Sequence, residues 1–201
     1  PEHDVRPVAI GGALRRVFDR ARLLEAKPQL RAAVEPVQLA MGTPGGCQSF
    51  GMQVVLALAL QPEFIVLSLD CKNAFNRIHR RAVCAAAGRG AFAETGLRRY
   101  LESHCQPVSR CYRWRHGRIV RMDYDSVEGM QQGASCDGST GFIIGVQEIF
   151  ARANAKLQAA GGVVVQHEDE RGSARAIADD LALVGPPDLV YAVYEDVLKE
   201  L

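Results

Sequence analysis

A chain of 201 residues in which 48% are hydrophobic can bury a substantial core, so its composition excludes a disordered protein. Its longest apolar runs are far too short to span a bilayer, and its N-terminus lacks the pattern of a secretory signal, which predicts an intracellular protein with no membrane partner. The net charge is only +1, but residues 71–121 carry +10 and residues 122–201 carry −9. The basic stretch should attract phosphate backbones, and binding there should weaken as salt rises.

Hydrophobic periodicity divides the chain into helices and strands. Apolar residues at helical spacing mark the helices, short apolar runs mark the strands, and Gly and Pro clusters separate them. In chain order we predict helices at 11–33 and 49–60, a strand at 64–69, helices at 77–87 and 94–104, a hairpin at 110–125, a helix at 138–160, strands at 163–165, 174–177 and 181–184, and a helix from the prolines at 186–187 to 201. This order predicts an α+β fold built of helix and sheet layers.

The predicted hairpin at 110–125 combines two aromatic residues with many positive charges. It carries Tyr112 and Trp114 around a His-Gly turn, together with five arginines. The arginines are Arg110, Arg113, Arg115, Arg118 and Arg121. One interpretation is a nucleic-acid-binding surface, and the other is a solvated face in which Trp114 is a core residue.

Three aspartates stand where predicted core strands end. Asp70 follows the apolar run 64–69, and Asp179 and Asp180 lie within the mainly apolar segment 176–185. An ionised Asp at a buried strand end is costly unless it is paired or binds a metal. Two divalent cations about 3.5–4 Å apart, held by shared carboxylates, activate the attacking oxygen and stabilise the leaving oxygen in phosphoryl transfer. The alternative is that the Asp-Asp pair only forms a turn.

Five short segments occur in an order that is typical of one enzyme family. They read Arg-Pro-Val-Ala-Ile at 6–10, Gln-Leu-Ala-Met-Gly-Thr-Pro-Gly-Gly at 38–46, Asp-Cys-Lys-Asn-Ala-Phe-Asn at 70–76, Glu-Gly-Met-Gln-Gln-Gly at 128–133 and Ala-Asp-Asp at 178–180. Together they resemble the fingers motifs and motifs A, B and C of reverse transcriptases, most closely those of non-LTR retrotransposons. The resemblance covers residues 6–184, which is almost the whole chain.

The sequence departs from the family pattern at two places. Ile177 stands where the family usually has an aromatic residue, and Ala-Ser-Cys-Asp-Gly at 134–138 replaces the usual Asp-Pro-Leu-Gly-Pro. Both departures leave the three aspartates intact and fall at positions linked to primer positioning. The family's first fingers strand, its motif D, its primer grip and its thumb have no counterpart here, so we expect the core of a longer polyprotein or a degenerate fragment.

The resemblance implies a fold and a division of the chain. It implies a polymerase-type palm, in which helices back an antiparallel sheet, preceded by partial fingers and without a thumb. We expect the fingers at residues 1–62 and the palm at 63–201. A protein from a eukaryotic retrotransposon would act in the nucleus.

The resemblance also assigns roles to the three aspartates. Asp70 and Asp179 are expected to bridge two Mg²⁺ ions, which Mn²⁺ can replace, because hard cations prefer carboxylate oxygens. Asp180 either completes this catalytic site or is a turn residue that orients Asp179. The backbone carbonyl of Cys71 would add another oxygen.

Four further residues are assigned to substrate binding by the same resemblance. Arg6 would contact the triphosphate, and Phe75 would exclude the 2′-hydroxyl of a ribonucleotide, although a core position is the alternative for this ring. Gln132 would lie beside the templating base pair, and Gly133 would let the backbone approach the nascent duplex.

The function implied is RNA-directed DNA synthesis by the core of a retroelement enzyme. Its partners would be an RNA template, a DNA primer and a dNTP. Two alternatives stay open at this point. In the first, the chain is an inactive or domesticated relative that uses the basic stretch 71–121 to bind RNA. In the second, it is a two-metal nuclease with a coincidental set of aspartates.

Overall fold

The computed structural model describes residues 12–71, 73–131, 135–159 and 173–201. The helices are α1 (Ala13–Val34), α2 (Gly46–Leu60), α3 (Ala74–Arg77), α4 (Arg80–Ala86), α5 (Leu97–His104), α6 (Gly141–Ala159) and α7 (Pro187–Glu200). The strands are β1 (Ile65–Asp70), β2 (Ser109–Arg115), β3 (Arg118–Ser126), β4 (Ser173–Ile177) and β5 (Asp180–Gly185). A 3₁₀ helix covers Gly90–Thr95, and a π-helical segment covers Ser135–Thr140. This mixture of helices and antiparallel sheets confirms the predicted α+β fold.

One predicted helix is interrupted, and another is shortened at its start. The helix predicted at 77–87 is interrupted because Ile78 and His79 are extended, and this interruption separates α3 from α4. The helix predicted at 94–104 begins at Leu97, after Gly96, whose φ of 65° is left-handed and ends the preceding 3₁₀ helix. The strand predicted at 163–165 lies outside the described residues.

The described residues group into two compact units. The first unit contains the described parts of Pro1–Glu25 and Asn73–Gly145, and the second contains those of Ala26–Lys72 and Val146–Leu201. This grouping follows contacts rather than chain order. The expected division into fingers at 1–62 and palm at 63–201 therefore stays a prediction about subdomains.

The second unit is built on a three-stranded antiparallel sheet with the order β1-β5-β4. The central strand β5 is apolar and buried from Leu181 to Gly185, as expected of a strand with neighbours on both sides. Helix α7 contacts β1 and β5, and α2 contacts β4. The largest fully buried apolar side chains of this unit are Leu30, Val34, Phe150, Leu157, Leu181 and Leu183.

The first unit combines short helices with the β2–β3 hairpin. Its buried apolar residues lie mainly on or beside α4, α5 and the start of α6, and they include Val83, Ala87, Leu97, Leu101, Phe142, Ile143 and Ile144. The hairpin pairs Arg115 with Arg118 at its tip, and its register shifts between Arg110 and Tyr112. The apolar residues Leu14, Val17 and Phe18 of α1 are exposed in this structure. No described helix has the length and apolar content needed to cross a membrane.

Candidate active site

Asp70 and Asp180 occupy directly opposite positions on neighbouring strands. The register of β1 and β5 runs from the Ile65–Gly185 pair to the Asp70–Asp180 pair. Directly opposite residues of an antiparallel pair place their Cβ atoms about 4.5–5.5 Å apart on one face of the sheet. Both aspartates are exposed. Two carboxylates thus stand side by side at a solvent-facing end of a sheet whose central strand is apolar.

Asp179 lies in the tight turn that joins β4 to β5. Ile177 pairs with Asp180, so Ala178 and Asp179 are the two turn residues. Asp180 therefore faces Asp70 across the strands, and Asp179 occupies the turn. The role of each carboxylate as a metal ligand stays a prediction.

All three carboxylates lie near the thiol of Cys71. Burial of the half-buried Cys71 side chain raises the pKa of its thiol, and the negative charges of Asp179, Asp70 and Asp180 raise it further. Each of these carboxylates thus lies within electrostatic range of a single sulfur atom. The structure brings Asp179 and Asp180 near Asp70, although 110 positions separate Asp70 from Asp180 in the sequence.

These carboxylates would supply only some of the oxygen ligands of a bound cation. Within the described ranges, no group of three or more His, Cys, Asp and Glu side chains is arranged to hold a metal ion. Mg²⁺ is usually bound through one or two carboxylates together with water and substrate phosphates, rather than by a cage of protein ligands. The Asp70–Asp180 pair, with Asp179 in the adjoining turn, fits this mode of binding.

The segment that follows Asp70 is folded by an asparagine in a left-handed conformation. Asn73 has a φ of 58°, which Asn adopts more readily than most residues. Its carbonyl oxygen accepts hydrogen bonds from the backbone N–H groups of Asn76 and Arg77, at 2.9 and 3.1 Å. This arrangement starts the short helix α3, which carries Phe75.

Phe75 packs against another aromatic ring. Its ring centroid lies 5.0 Å from that of the buried Phe142, with 47° between the ring planes, and Phe75 itself is half-buried. This contact gives the ring a packing role, as in the core alternative. A second role in excluding ribonucleotides stays a prediction.

The Asn-Ala-Phe-Asn segment is joined to the start of the Glu-Gly-Met-Gln segment. The backbone N–H of Met130 donates to the carbonyl oxygen of Phe75 at 2.6 Å, and the N–H of Gly129 donates to that of Ile78 at 3.1 Å. A Cβ added at Gly129 would lie 2.3 Å from the backbone oxygen of Asn76, and the φ of Gly129 is 74°. Only glycine fits at this position, because the two backbones are in contact and the conformation is left-handed.

Arg80 is a buried residue whose importance sequence reasoning missed. Its guanidinium donates to the carbonyl oxygens of Gly129, Gln106, Glu128 and Ser126, at 2.7, 2.7, 3.0 and 3.1 Å, and to the Ser126 hydroxyl at 2.6 Å. These bonds fix the segment from Ser126 to Gly129 that leads into the Gln-Gln-Gly motif. An arginine within a basic stretch predicts a solvated side chain, so no local signal revealed this role.

The hairpin is exposed on two faces, one that carries its aromatic residues and one that carries three of its arginines. Residues 112–119 are all exposed, including Trp114 at 72% and Ile119 at 69% of their full accessible areas. Trp114 is paired with Ile119, and Tyr112 with Arg121, so these four side chains share one face. The exposure excludes the core alternative for Trp114. Arg113, Arg115 and Arg118 extend from the other face, and among the residues that the structure describes none of them forms an ion pair with a carboxylate.

Three residues expected to bind substrate cannot be compared with the structure. Arg6, Gln132 and Gly133 lie outside the described residues, so their roles stay predictions. Gln38 is another residue whose role sequence reasoning missed, although its segment was recognised. Its side-chain amide contacts the turn that carries Asp179.

Comparison with known proteins gives a structural likeness to solved structures. No protein-family model matches the chain, and no curated protein matches it. Among solved structures, the chain is similar to apo telomerase from Candida Tropicalis truncated from its C-terminal domain, with a TM-score of 0.55 and 12% sequence identity. The likeness covers 92% of this chain and 37% of the telomerase chain. At this identity it shows similarity of fold alone.

Proposed function

We propose that this chain is the core of a retroelement reverse transcriptase, which extends a DNA primer on an RNA template by nucleotidyl transfer from a dNTP. The observation that carries the proposal is the placement of Asp70 opposite Asp180, with Asp179 in the adjoining turn. The fold similarity to telomerase, a reverse transcriptase-related enzyme, supports it at a coarse level. The second unit would then correspond to much of a polymerase palm.

The chemistry assigned to the three aspartates follows from their charge and position. Asp70, Asp179 and Asp180 would hold Mg²⁺, which supplies Lewis-acid stabilisation of the primer 3′-oxygen and the triphosphate. The exposure of Asp70 and Asp180 leaves room for substrate phosphates and water to provide the remaining oxygen ligands. Cys71 keeps its proton more firmly than an ordinary thiol, so a neutral side chain lies beside the three charges.

The remaining assignments extend the same proposal to the nucleotide and the template. Phe75 would exclude the 2′-hydroxyl of an incoming ribonucleotide, and Arg6 would bind triphosphate oxygens through its planar, permanently charged group. Gln132 and Gly133 would contact the templating pair and the nascent duplex. The bond between Met130 and Phe75 supports a common site for these segments, because it ties the start of one motif to the end of another.

The β2–β3 hairpin is the surface that we assign to nucleic acid. Arg113, Arg115 and Arg118 supply positive charge, and Trp114 supplies an exposed ring on which a base can stack. By contrast, Arg80 and Arg98 contribute little to binding, since Arg80 is bonded internally and Arg98 is paired with Glu102. Arg113, Arg115 and Arg118 are exposed and lie close together on the hairpin, which makes the hairpin the densest part of this positive charge.

The proposal is tested by measuring primer extension on an RNA template with dNTPs and either Mg²⁺ or Mn²⁺. In a protein that adds the fingers and thumb segments to this core, we expect extension with the wild-type sequence and none with Asp70→Asn or Asp179→Asn, because an amide removes ligand charge with little change in volume. Asp188→Asn, at an exposed position of α7, is the matched control and should keep activity. Equal extension by wild type and Asp70→Asn would exclude the assignment.

A second candidate is an inactive relative that binds RNA through the hairpin. It is favoured by the lack of a three-ligand metal arrangement within the described part of the chain. Binding of Mn²⁺ to the wild-type protein separates the two candidates, because the inactive relative has no need of a cation. RNA binding without cation binding would favour the second candidate.

A further inference from the structure

Gln38 is a fully buried glutamine whose side-chain amide reaches the turn between β4 and β5. Its Nε2 donates to the carbonyl oxygen of Ala178 at 3.1 Å, and its Oε1 accepts from the backbone N–H of Ala178 at 2.8 Å. One amide thus satisfies both backbone polar groups of a single residue. The N–H of Ala40 also donates to Oε1, at 3.3 Å, and these two donors fix the orientation of the amide.

Ala178 is a residue that needs such support. Its φ of 54° lies in the left-handed region, where the Cβ of an alanine is unfavourably close to the backbone. Conformations of this kind persist only when surrounding contacts impose them, and they cluster at functional sites. Ala178 immediately precedes Asp179 and Asp180, so a change in its φ would swing both carboxylates.

The backbone around Gln38 keeps the glutamine itself in place. The N–H of Leu39 donates to the carbonyl oxygen of Ala176, and the N–H of Ala176 donates to that of Val37, both at 2.8 Å. Gln38 therefore lies alongside Ala176 as a parallel neighbour of β4. The Gln38 backbone is therefore fixed beside Ala176, and Ala176 precedes the strained Ala178 by two residues.

We propose that Gln38 is a positioning residue that holds Ala178 in its left-handed conformation and thereby sets the placement of the Asp179 and Asp180 carboxylates. Gln38 contacts neither cation nor substrate, and it acts only through the backbone of Ala178. The inference rests on the proposed function, since it gives Gln38 a role in the cation site of the polymerase.

The test compares four variants by their affinity for Mn²⁺, measured in the folded 201-residue protein. Gln38→Leu removes both hydrogen bonds and should weaken Mn²⁺ binding about 10–100-fold, as loss of a residue that orients metal ligands does. Ala178→Gly should bind like wild type, because glycine adopts a positive φ without strain. In the double variant, Ala178→Gly should restore most of the affinity that Gln38→Leu loses.

Gln147→Leu is the matched control. Gln147 is another buried glutamine of the second unit, and its Nε2 donates to the carbonyl oxygen of Val34 at 3.0 Å. Its loss should lower the melting temperature and leave Mn²⁺ affinity unchanged. If Gln38→Leu behaves in the same way, or if Ala178→Gly gives no recovery, Gln38 is a structural residue and the inference is overturned.

A measurement without cation separates this inference from the proposed function. In NMR spectra of the protein without metal, we expect slow exchange of the Ala178 amide proton in wild type and fast exchange in Gln38→Leu. The amide signals of Asp179 and Asp180 should move in Gln38→Leu and return in the double variant. If they do so in a protein that binds no Mn²⁺, the positioning role stands and the cation site fails. If the signals do not move, the positioning role fails whatever the protein binds.

Discussion

Asp70 lies directly opposite Asp180 in the register of two neighbouring antiparallel strands. Like charges in directly opposite positions destabilise a sheet, and Asp179 adds a third carboxylate in the adjoining turn. A fold that keeps this repulsion at the end of an apolar sheet is less stable than it would be with neutral residues. A bound cation would remove the repulsion, so charge, stability and cation binding are linked at this site.

The first prediction concerns the stability of Asp180→Asn. Without divalent cations, the change should raise the free energy of unfolding by about 0.2–1 kcal/mol, because it removes like-charge repulsion across the strands. Addition of Mg²⁺ should stabilise the wild-type protein and leave the variant unaffected. Urea denaturation with and without Mg²⁺ measures both effects, and Asp123→Asn serves as the control. A variant less stable than wild type in the absence of cation would contradict the prediction.

The second prediction concerns the reactivity of Cys71. Because burial and the charges of Asp179, Asp70 and Asp180 raise the pKa of this thiol, the thiolate fraction at a given pH is smaller than for an ordinary cysteine. Iodoacetamide should therefore modify Cys71 slowly, and the midpoint of its pH–rate profile should lie on the alkaline side of the usual thiol range.

Asp179→Asn should lower the pKa of Cys71 and speed its modification at the same pH. Cys47 is exposed and serves as the internal reference, with a rate that the variant should not change. Peptide mapping by mass spectrometry distinguishes the two thiols. An identical Cys71 rate in wild type and Asp179→Asn would show that the carboxylate does not act on the sulfur.

The third prediction concerns the two roles open to Phe75. Phe75→Val should lower the free energy of unfolding by about 1–2 kcal/mol through the lost ring contact with Phe142. If the ring also excludes ribonucleotides, the ratio of ribonucleotide to deoxynucleotide incorporation should rise, because the discrimination comes from a clash. Phe142→Val should destabilise the protein without changing the ratio. A lowered melting temperature with an unchanged ratio in Phe75→Val would assign Phe75 to the core alone.

The fourth prediction uses the fact that Trp114 is the single tryptophan of the chain. Its exposed position makes intrinsic fluorescence a direct probe of the hairpin. Single-stranded RNA should quench this fluorescence by stacking, and Trp114→Ala should weaken RNA binding by about 1–3 kcal/mol. Fluorescence that does not respond to RNA, while binding is detected by another method, would place the nucleic acid elsewhere.

The salt dependence of the same binding tests the arginines. Changing Arg113, Arg115 and Arg118 to glutamine should reduce the slope of log affinity against log salt by about 2, as expected when three phosphate contacts to a single strand are lost. Changing three exposed arginines of α1, Arg16, Arg20 and Arg31, provides a control of equal charge and should leave the slope nearly as in wild type.

The fifth prediction concerns Arg80. Arg80→Lys keeps the positive charge but cannot reproduce five hydrogen bonds in a fixed fork geometry. We expect a loss of about 2–4 kcal/mol in the free energy of unfolding, since buried acceptors are left unsatisfied. Arg81→Lys, at an exposed neighbouring position, should have almost no effect on stability. Equal melting temperatures for the two variants would refute the role of Arg80.

Local pattern was sufficient to predict most of the elements and the ends of the strands that carry acidic residues. Apolar residues before Asp70 and around Asp179 and Asp180 predict the strands. The charged aspartates mark where these strands end. The register that places Asp70 against Asp180 is a pairing between distant segments. No local pattern specifies it.

The residues that sequence reasoning missed are those whose partners are far away in the chain. Arg80 looked like a solvated member of a basic stretch, but its partners between Gln106 and Gly129 bury it. The opposite occurred in α1, where Leu14 and Phe18 have helical spacing and are nevertheless exposed. Spacing predicts a helix and an apolar face, while burial depends on what packs against that face.

The hydrogen bonds between Gln38 and Ala178 join positions 140 residues apart in the chain. During synthesis on a ribosome, the turn that carries the aspartates emerges long after Gln38 has left the exit tunnel, and the strained alanine has no support until that large loop closes. Contacts of such long range form late and slowly. We therefore expect the carboxylates to acquire their final arrangement only as folding is completed.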